Sequence, residues 1–207
     1  MRFLRPYLIT ALSCILMTGN GVGTLGQPVN RIALSSGCSN YLYISGESNV
    51  NQFYFSFDEG SETPGKFYYS SPDNDELEIE IPVKEFRPSN PLMYEDFLTL
   101  MKATEYPMIK VTFSKHELEK ISKNPDGNCP SVRISIAGVT REYQIQCLAI
   151  QCSQDLYLSG EKNMRFSDFH LKPPEKLLGL VKVNNEINVN FGFIITFTEI
   201  NPLAAGL

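Results

Sequence analysis

Hydrophobic and polar residues alternate along most of the chain, which is the period-two pattern of strands with one buried face. In the central segment this alternation covers residues 77–83 and returns at residues 108–113. Between the two runs, apolar residues recur at helical spacing, and Pro91 suits the first turn of a helix. The segment therefore predicts a strand, one short α-helix over about residues 91–103 that ends by Pro107, and a second strand.

The rest of the chain after residue 38 shows further short alternating runs separated by turn residues. The longest covers residues 187–197, where Ile, Val and Phe alternate largely with Asn and Thr. About nine such runs and one helix predict an all-β fold, a barrel or a sandwich, with one solvated face and one face turned to a common interior. The length of 207 residues fits a single domain of this kind.

Two segments of the chain repeat the same residues in the same order. Cys38–Val50 matches Cys152–Met164 at eight of thirteen positions, including the cysteine and a Leu-Tyr-x-Ser-Gly-Glu core. Because no short-period array follows, the repeat predicts two similarly placed strands, each running into a glycine that permits a bend or bulge. Chance reuse of a strand-and-turn pattern is the alternative.

The first residues have the pattern of a secretory signal peptide. Arg2 and Arg5 precede a short apolar run, and small residues follow it. We expect residues 1–26 to be this signal and residues 27–207 to be the mature domain, secreted or periplasmic. Lipoprotein processing at Cys14 is disfavoured for two reasons. The leucine that precedes the cysteine in a lipoprotein signal stands one position too late here, and cleavage at Cys14 would divide the apolar run. No later stretch predicts a membrane helix.

The charge of the predicted mature domain narrows the choice of partners. Without Arg2 and Arg5 the chain has 16 basic and 23 acidic residues, a net charge of −7. Such an acidic domain is a poor ligand for nucleic acid or for anionic membrane surfaces. The sequence leaves the oligomeric state open, a homodimer included.

Four of the five cysteines lie in the predicted mature domain, which suggests disulfides in an exported chain. A hairpin turning at Gly138 would place Cys129 almost opposite Cys147, close to the separation that a bridge requires. Cys38 and Cys152, the equivalent cysteines of the repeat, would then pair. We therefore predict the pairs Cys129–Cys147 and Cys38–Cys152, with four free thiols as the alternative.

The chain has no recognisable catalytic motif. A Gly-x-Ser-x-Gly elbow, a Walker loop and a His-Glu-x-x-His sequence are all missing. His116 lies in a polar segment and His170 at the end of a strand, so solvent-exposed or structural positions are expected for them. The acidic loops lack the spacing of a calcium loop, and two histidines without a paired Cys-x-x-Cys do not favour zinc. We expect no enzyme activity, no metal and no cofactor.

The central segment resembles the signature of the YceI-like family. The matching residues are Val83–Phe86, Met93-x-x-Asp96-Phe97, Leu100-x-x-Ala103 and Tyr106-Pro107-x-Ile109, with a second match in Pro173-Pro174 and Gly179–Val183. The sequence departs from the commoner form of the family in two places: the usual N-terminal strand region and the usual polar element before the helix are both replaced by other residues. The chain therefore resembles a divergent, cysteine-containing branch of the family.

This resemblance implies a single antiparallel lipocalin-like β-barrel that holds a long apolar isoprenoid lipid. By this resemblance, apolar residues that can face inward on the strands would contact the lipid: Phe53, Phe55, Phe57, Ile79, Ile81, Ile134, Ile136, Phe191, Phe193 and Ile195. Three residues of the predicted helix, Met93, Phe97 and Met101, could close one end of the barrel.

We therefore expect an exported, non-enzymatic binding or carrier protein for a long-chain, isoprenoid-like lipid. Two alternatives stay open. The first is a ligand-free structural or adhesion module of the cell envelope with a packed barrel. The second, with the least support, is a lipid-modifying enzyme of lipocalin-like shape. A hollow or filled interior separates the carrier from the structural module.

Overall fold

A computed structural model describes the chain over residues 38–59, 67–71, 75–123, 129–176 and 180–196. The predicted signal peptide and Cys14 lie outside these described residues. The elements that follow all belong to one compact unit, Gly37–Leu207.

The described residues form twelve strands and two short α-helices, where about nine strands and one helix were predicted. In chain order the strands are β1 (Tyr41–Ser48), β2 (Gln52–Asp58), β3 (Tyr68–Ser70), β4 (Glu76–Pro82), β5 (Arg87–Pro88), β6 (Met108–Ser114), β7 (Ser131–Ile136), β8 (Val139–Gln144), β9 (Cys147–Cys152), β10 (Asp155–Arg165), β11 (Glu175–Lys176) and β12 (Val181–Ile195). The helices are α1 (Tyr94–Leu100) and α2 (Lys115–Lys123). Short 3-10 turns lie at Val83–Glu85, Pro91–Met93 and Phe166–Phe169.

The strands form two antiparallel sheets, which confirms the predicted all-β class. The first has the order β5-β2-β1-β12-β10-β9, with β11 paired to β12, and the second has the order β3-β4-β6-β7-β8. Among the described residues no ladder joins the two sheets, so they are not closed into a continuous barrel. Their apolar faces share one core, because strand alternation turns every second side chain of each sheet inward.

The first helix is shorter than predicted. The side chain of Asn90 accepts a hydrogen bond from the Leu92 N–H, a 3-10 turn follows, and α1 covers only Tyr94–Leu100. Lys102 then takes a left-handed conformation with φ of 51°, and the Ala103 N–H bonds back to the Leu98 carbonyl. The helix therefore ends three residues before the predicted bound at residue 103, because this left-handed residue turns the chain.

Sequence reasoning missed α2, which occupies the segment that had been interpreted only as polar. Its Leu118 and Ile121 are buried, while His116 is exposed as predicted. The Ser114 hydroxyl accepts a hydrogen bond from the Glu117 N–H at 3.1 Å, the geometry of an N-cap. Neither of the two described α-helices is long and apolar enough to cross a membrane.

The sequence repeat corresponds to the two strands that flank β12. β1 pairs with one edge of β12 and β10 with the other, so the repeated segments have equivalent places in the sheet. Gly46 stands at a register shift between β1 and β12, as predicted, whereas the ladder of β10 with β12 passes Gly160 without a shift. A disulfide joins Cys38 to Cys152, as predicted, and thereby links the two repeats.

The second predicted disulfide is not formed, and Cys129 and Cys147 are free thiols. The hairpin does turn at Gly138, whose φ is +80°. Its register, however, places Gln146 and not Cys147 opposite Cys129, and its ladder ends at Gln144. The chain then passes to the other sheet, where Cys147 begins β9 with its side chain buried while Cys129 remains exposed.

Candidate functional site

An apolar cavity of about 300 Å³ lies between the two sheets. Its wall combines the inward residues of β1, β2, β10 and β12 from one sheet with those of β6 and β7 from the other. This volume is at the lower end of the range of small-molecule pockets, about 300 to 1,000 Å³. The interior is therefore hollow enough for part of a slim ligand.

Strand alternation explains why the wall is apolar. On β12, the residues Ile187, Val189, Phe191 and Phe193 recur every second position and all line the cavity. Ile187 and Val189 remain partly exposed although they face this interior. Their exposure shows that the space in front of them is not filled by other side chains.

Helix α1 closes part of the space between the sheets. Phe97 stacks on Phe55 of β2 with ring centroids 4.2 Å apart, and it also contacts Phe86 at 5.5 Å. Met93, Leu100 and Phe97 line the cavity. The helix is thus held by aromatic packing, while the unbranched side chain of Met93, in the 3-10 turn before α1, provides an adaptable part of the wall.

Nine of the thirteen predicted interior residues line this cavity: Phe53, Phe55, Met93, Phe97, Met101, Ile134, Ile136, Phe191 and Phe193. The other four, Phe57, Ile79, Ile81 and Ile195, are fully buried in the core and do not line it. Phe57, for example, packs edge-on against Phe67 at 4.5 Å and is enclosed by aromatic neighbours. A role in lipid binding stays a prediction for all thirteen.

The prediction missed the contributions of β6 and β10. Val111 and its alternating neighbours on β6 line the cavity, and so do Leu158, Lys162 and Met164 of β10. The alternation of β6 was visible in the sequence. On β10 the inward positions are Leu158, Gly160, Lys162 and Met164, and a glycine and a lysine interrupt the apolar pattern.

The exposed residues of the cavity wall gather at one end of the first sheet. They are Val50 and Asn51 in the turn between β1 and β2, Asn90 before α1, and Arg165 at the end of β10. Val50 is an apolar residue that is 63% exposed. This end is therefore the mouth of the cavity.

Cys147 is a further residue of the cavity wall, and burial raises the pKa of its thiol to about 11. The thiolate is the reactive form, so this raised pKa lowers the thiolate population of Cys147 at neutral pH. We expect the exposed Cys129 to react with a thiol reagent at about pH 8 well before Cys147 does.

Timed alkylation of the folded protein, read by mass spectrometry, measures this difference. The variants Cys129→Ser and Cys147→Ser assign the fast and slow phases, and denaturation should make the two sites equally reactive. Equal rates in the folded state would contradict the buried position of Cys147.

A polar cluster beside the cavity offers little chemistry. The Tyr143 hydroxyl donates to an Asp168 carboxylate oxygen at 3.0 Å, and burial together with this bond raises the pKa of Tyr143. The Arg141 Nε donates to the Asp168 carbonyl, and another nitrogen of Arg141 lies 3.2 Å from Nε2 of the exposed His170. These contacts hold the turn at Phe166–Phe169 against β8, and they place no nucleophile beside a base.

Metal-binding residues do not assemble within the described part of the chain. No group of three or more His, Cys, Asp or Glu side chains in it is arranged to hold a metal ion.

The architecture is that of antiparallel lipocalin-like proteins, and comparison with known proteins makes the assignment more specific. No family model and no curated protein matches the sequence. A solved polyisoprenoid-binding domain from Saccharophagus degradans, implicated in plant cell wall breakdown, has a TM-score of 0.56 at 11% identity over 76% of this chain and 93% of that one. BcnA of Burkholderia cenocepacia has a TM-score of 0.50 at 14% identity over 76% of this chain and 96% of that one.

A YceI protein of Campylobacter jejuni is also similar, with 19% identity over 65% of this chain and 84% of that one and a TM-score of 0.46. At such identities the likeness is one of fold. The first two structures suffice to show that the chain has the YceI-like fold, which confirms the resemblance found in its sequence.

Proposed function

We propose that the protein is an exported, non-enzymatic carrier of one long-chain apolar lipid, which it holds between its two sheets. The observation that carries this proposal is the apolar cavity of about 300 Å³ in an otherwise closely packed interior. Protein cores normally leave few voids larger than a water molecule. A continuous apolar space of this size therefore favours a ligand over a filled structural module.

The affinity would come from apolar surface removed from water. Each methylene group buried in such a site contributes about 0.8 kcal/mol, against the cost of immobilising the ligand. The wall is formed mainly by Phe, Ile, Val, Leu and Met side chains, with polar residues gathered largely at the mouth. A chain-like lipid would place its tail along the wall and leave its end group at or near the rim.

An isoprenoid is the lipid class that we favour. The solved domain from Saccharophagus degradans with the same fold is described as polyisoprenoid-binding. Branched isoprenoid chains and straight acyl chains are both apolar, so the choice between them rests on that likeness of fold and on the sequence resemblance. Identification of the lipid that the exported protein carries tests the choice between an isoprenoid and an acyl chain.

Export is proposed from the sequence, because residues 1–26 have the pattern of a signal peptide. The Cys38–Cys152 disulfide agrees with an oxidising compartment outside the cytoplasm. Together these features support a secreted or periplasmic carrier.

A series of primary alcohols from octanol to eicosanol tests binding in the cavity. We expect affinity to rise roughly three- to four-fold with each added methylene until the cavity is full, and then to level off. Isothermal titration calorimetry with each alcohol kept below its solubility limit gives the dissociation constants. Affinities that do not depend on chain length, or no binding at any length, would contradict the proposal and favour a structural module.

A further inference from the structure

Lys162 is a cation on the inward face of the first sheet. Strand β10 turns Leu158, Gly160, Lys162 and Met164 to the interior, and Lys162 stands opposite Val189 in the ladder with β12. The side chain is half-buried and lines the cavity between apolar neighbours. An inward lysine in an apolar wall requires an explanation, because desolvating an ammonium is costly unless it has partners.

The partners of Lys162 satisfy only part of its ammonium group. Its Nζ donates to the Gln144 backbone carbonyl at 3.0 Å and lies 5.7 Å from the centre of the Tyr143 ring. It forms no ion pair with any residue in the described part of the chain. An ammonium has three donors, so two remain for a ligand.

The position of Lys162 follows from the way the two sheets separate. The ladder between β9 and β10 ends at the pair Cys147 and Gly160, and the rest of β10 has no β9 partner. Gln144 and Tyr143 belong to β8 of the other sheet, so Lys162 reaches across the seam between the sheets. The ammonium therefore has a fixed place beside the cavity.

The other cation of the wall has a different environment. Arg165 is exposed at the mouth, and its guanidinium is paired with Glu186 at 3.1 Å. The only carboxylate of the wall in the described structure belongs to Asp96 on α1. Lys162 is thus the wall cation that is both turned inward and without a carboxylate partner among the described residues.

We propose that Lys162 makes the cavity selective for apolar lipids with an anionic end group, a carboxylate or a phosphate, which its ammonium binds. This inference rests on the proposed lipid-binding function and adds to it the chemical class of the end group. Charge-assisted hydrogen bonds to such oxygens are stronger than neutral ones, and more so in a partly dehydrated site.

Three ligands with the same tail test this selectivity: palmitic acid, hexadecyl phosphate and hexadecanol. Calorimetry on the intact exported protein at about pH 8, where the acid is ionised, gives each affinity. We expect the acid and the phosphate to bind at least roughly tenfold more tightly than the alcohol. The substitution Lys162→Met should remove this preference, so that the acid, the phosphate and the alcohol bind to the variant with affinities within about twofold of one another.

Lys182→Met is the matched control, since it removes an exposed cation of the same sheet that does not line the cavity. It should keep the preference for anionic ends. Equal loss of acid and alcohol binding in Lys162→Met would show that Lys162 only seals the seam, and an unmodified protein without preference would also overturn the inference. Binding of hexadecanol alone would leave the proposed function intact, whereas no binding of any of the three would contradict both.

Discussion

Removal of the Cys38–Cys152 disulfide is expected to lower the free energy of unfolding by about 4 to 5 kcal/mol. The bridge closes a loop with a sequence separation of 114 residues, and its main effect is to restrict the unfolded chain. It also ties together the segments that lead into β1 and β10, the strands on both sides of β12. Urea denaturation of the double variant Cys38→Ser/Cys152→Ser, compared with the unmodified protein, measures the change.

The substitution Cys129→Ser is the control for this measurement, because it removes an exposed thiol outside the bridge. It should change the free energy of unfolding by no more than an ordinary surface substitution does, within about 0.5 kcal/mol. A double variant as stable as the unmodified protein would mean that the bridge does not constrain the unfolded chain.

Filling the cavity should abolish tight lipid binding without preventing folding. Val189 lies midway along β12, opposite Ile44 on one side and Lys162 on the other, and faces open space. In the variant Val189→Trp the indole ring would occupy room for several methylene groups, at a cost of about 2 to 3 kcal/mol. This cost corresponds to a roughly 30- to 150-fold higher dissociation constant for a long alcohol.

The chain contains no tryptophan, so this variant also carries its own reporter. Its emission should be blue-shifted in the folded protein, because the ring would lie in an apolar cavity. Asn188→Trp is the matched control, since Asn188 points to the opposite face of the same strand and bonds to Asn163. Unchanged binding in Val189→Trp together with blue-shifted emission would place the ligand outside the cavity.

Much of the fold could be predicted because strand alternation is a local signal. The segment of residues 77–83 and the long strand β12 have apolar residues at every second position, and both are strands in the structure. The helix α2 was missed although Ser114 and Glu117 have the spacing of a capping box, because its nine residues bury only Leu118 and Ile121. A short helix with so few apolar positions gives a weak periodic signal.

The division between cavity and core could not be predicted from alternation. Phe57 and Phe55 share a face of β2, yet Phe57 is enclosed by aromatic rings and Phe55 lines the cavity. Lys162 was missed for a different reason. A lysine on a strand ordinarily marks the solvated face, and only the register with Val189 shows that this one is turned inward.

The disulfides show where spacing is informative and where it fails. The Cys38–Cys152 bridge was predicted as the pair left once Cys129 was assigned to Cys147, and it joins the equivalent cysteines of two repeats that the sheet places on both sides of β12. Cys129 and Cys147 were expected to pair because they flank one hairpin. The chain crosses to the other sheet after Gln144, and this change of sheet leaves no mark in the sequence spacing.

The central claim is that the cavity holds a lipid, and native mass spectrometry of the protein exported to the periplasm tests it most directly. The account predicts a stoichiometric adduct whose organic extract has the mass of an isoprenoid or acyl lipid, and predicts that Val189→Trp lacks it. A clean ligand-free mass, unchanged after incubation with polyprenyl and fatty-acyl lipids, would contradict the account and identify the protein as a structural module.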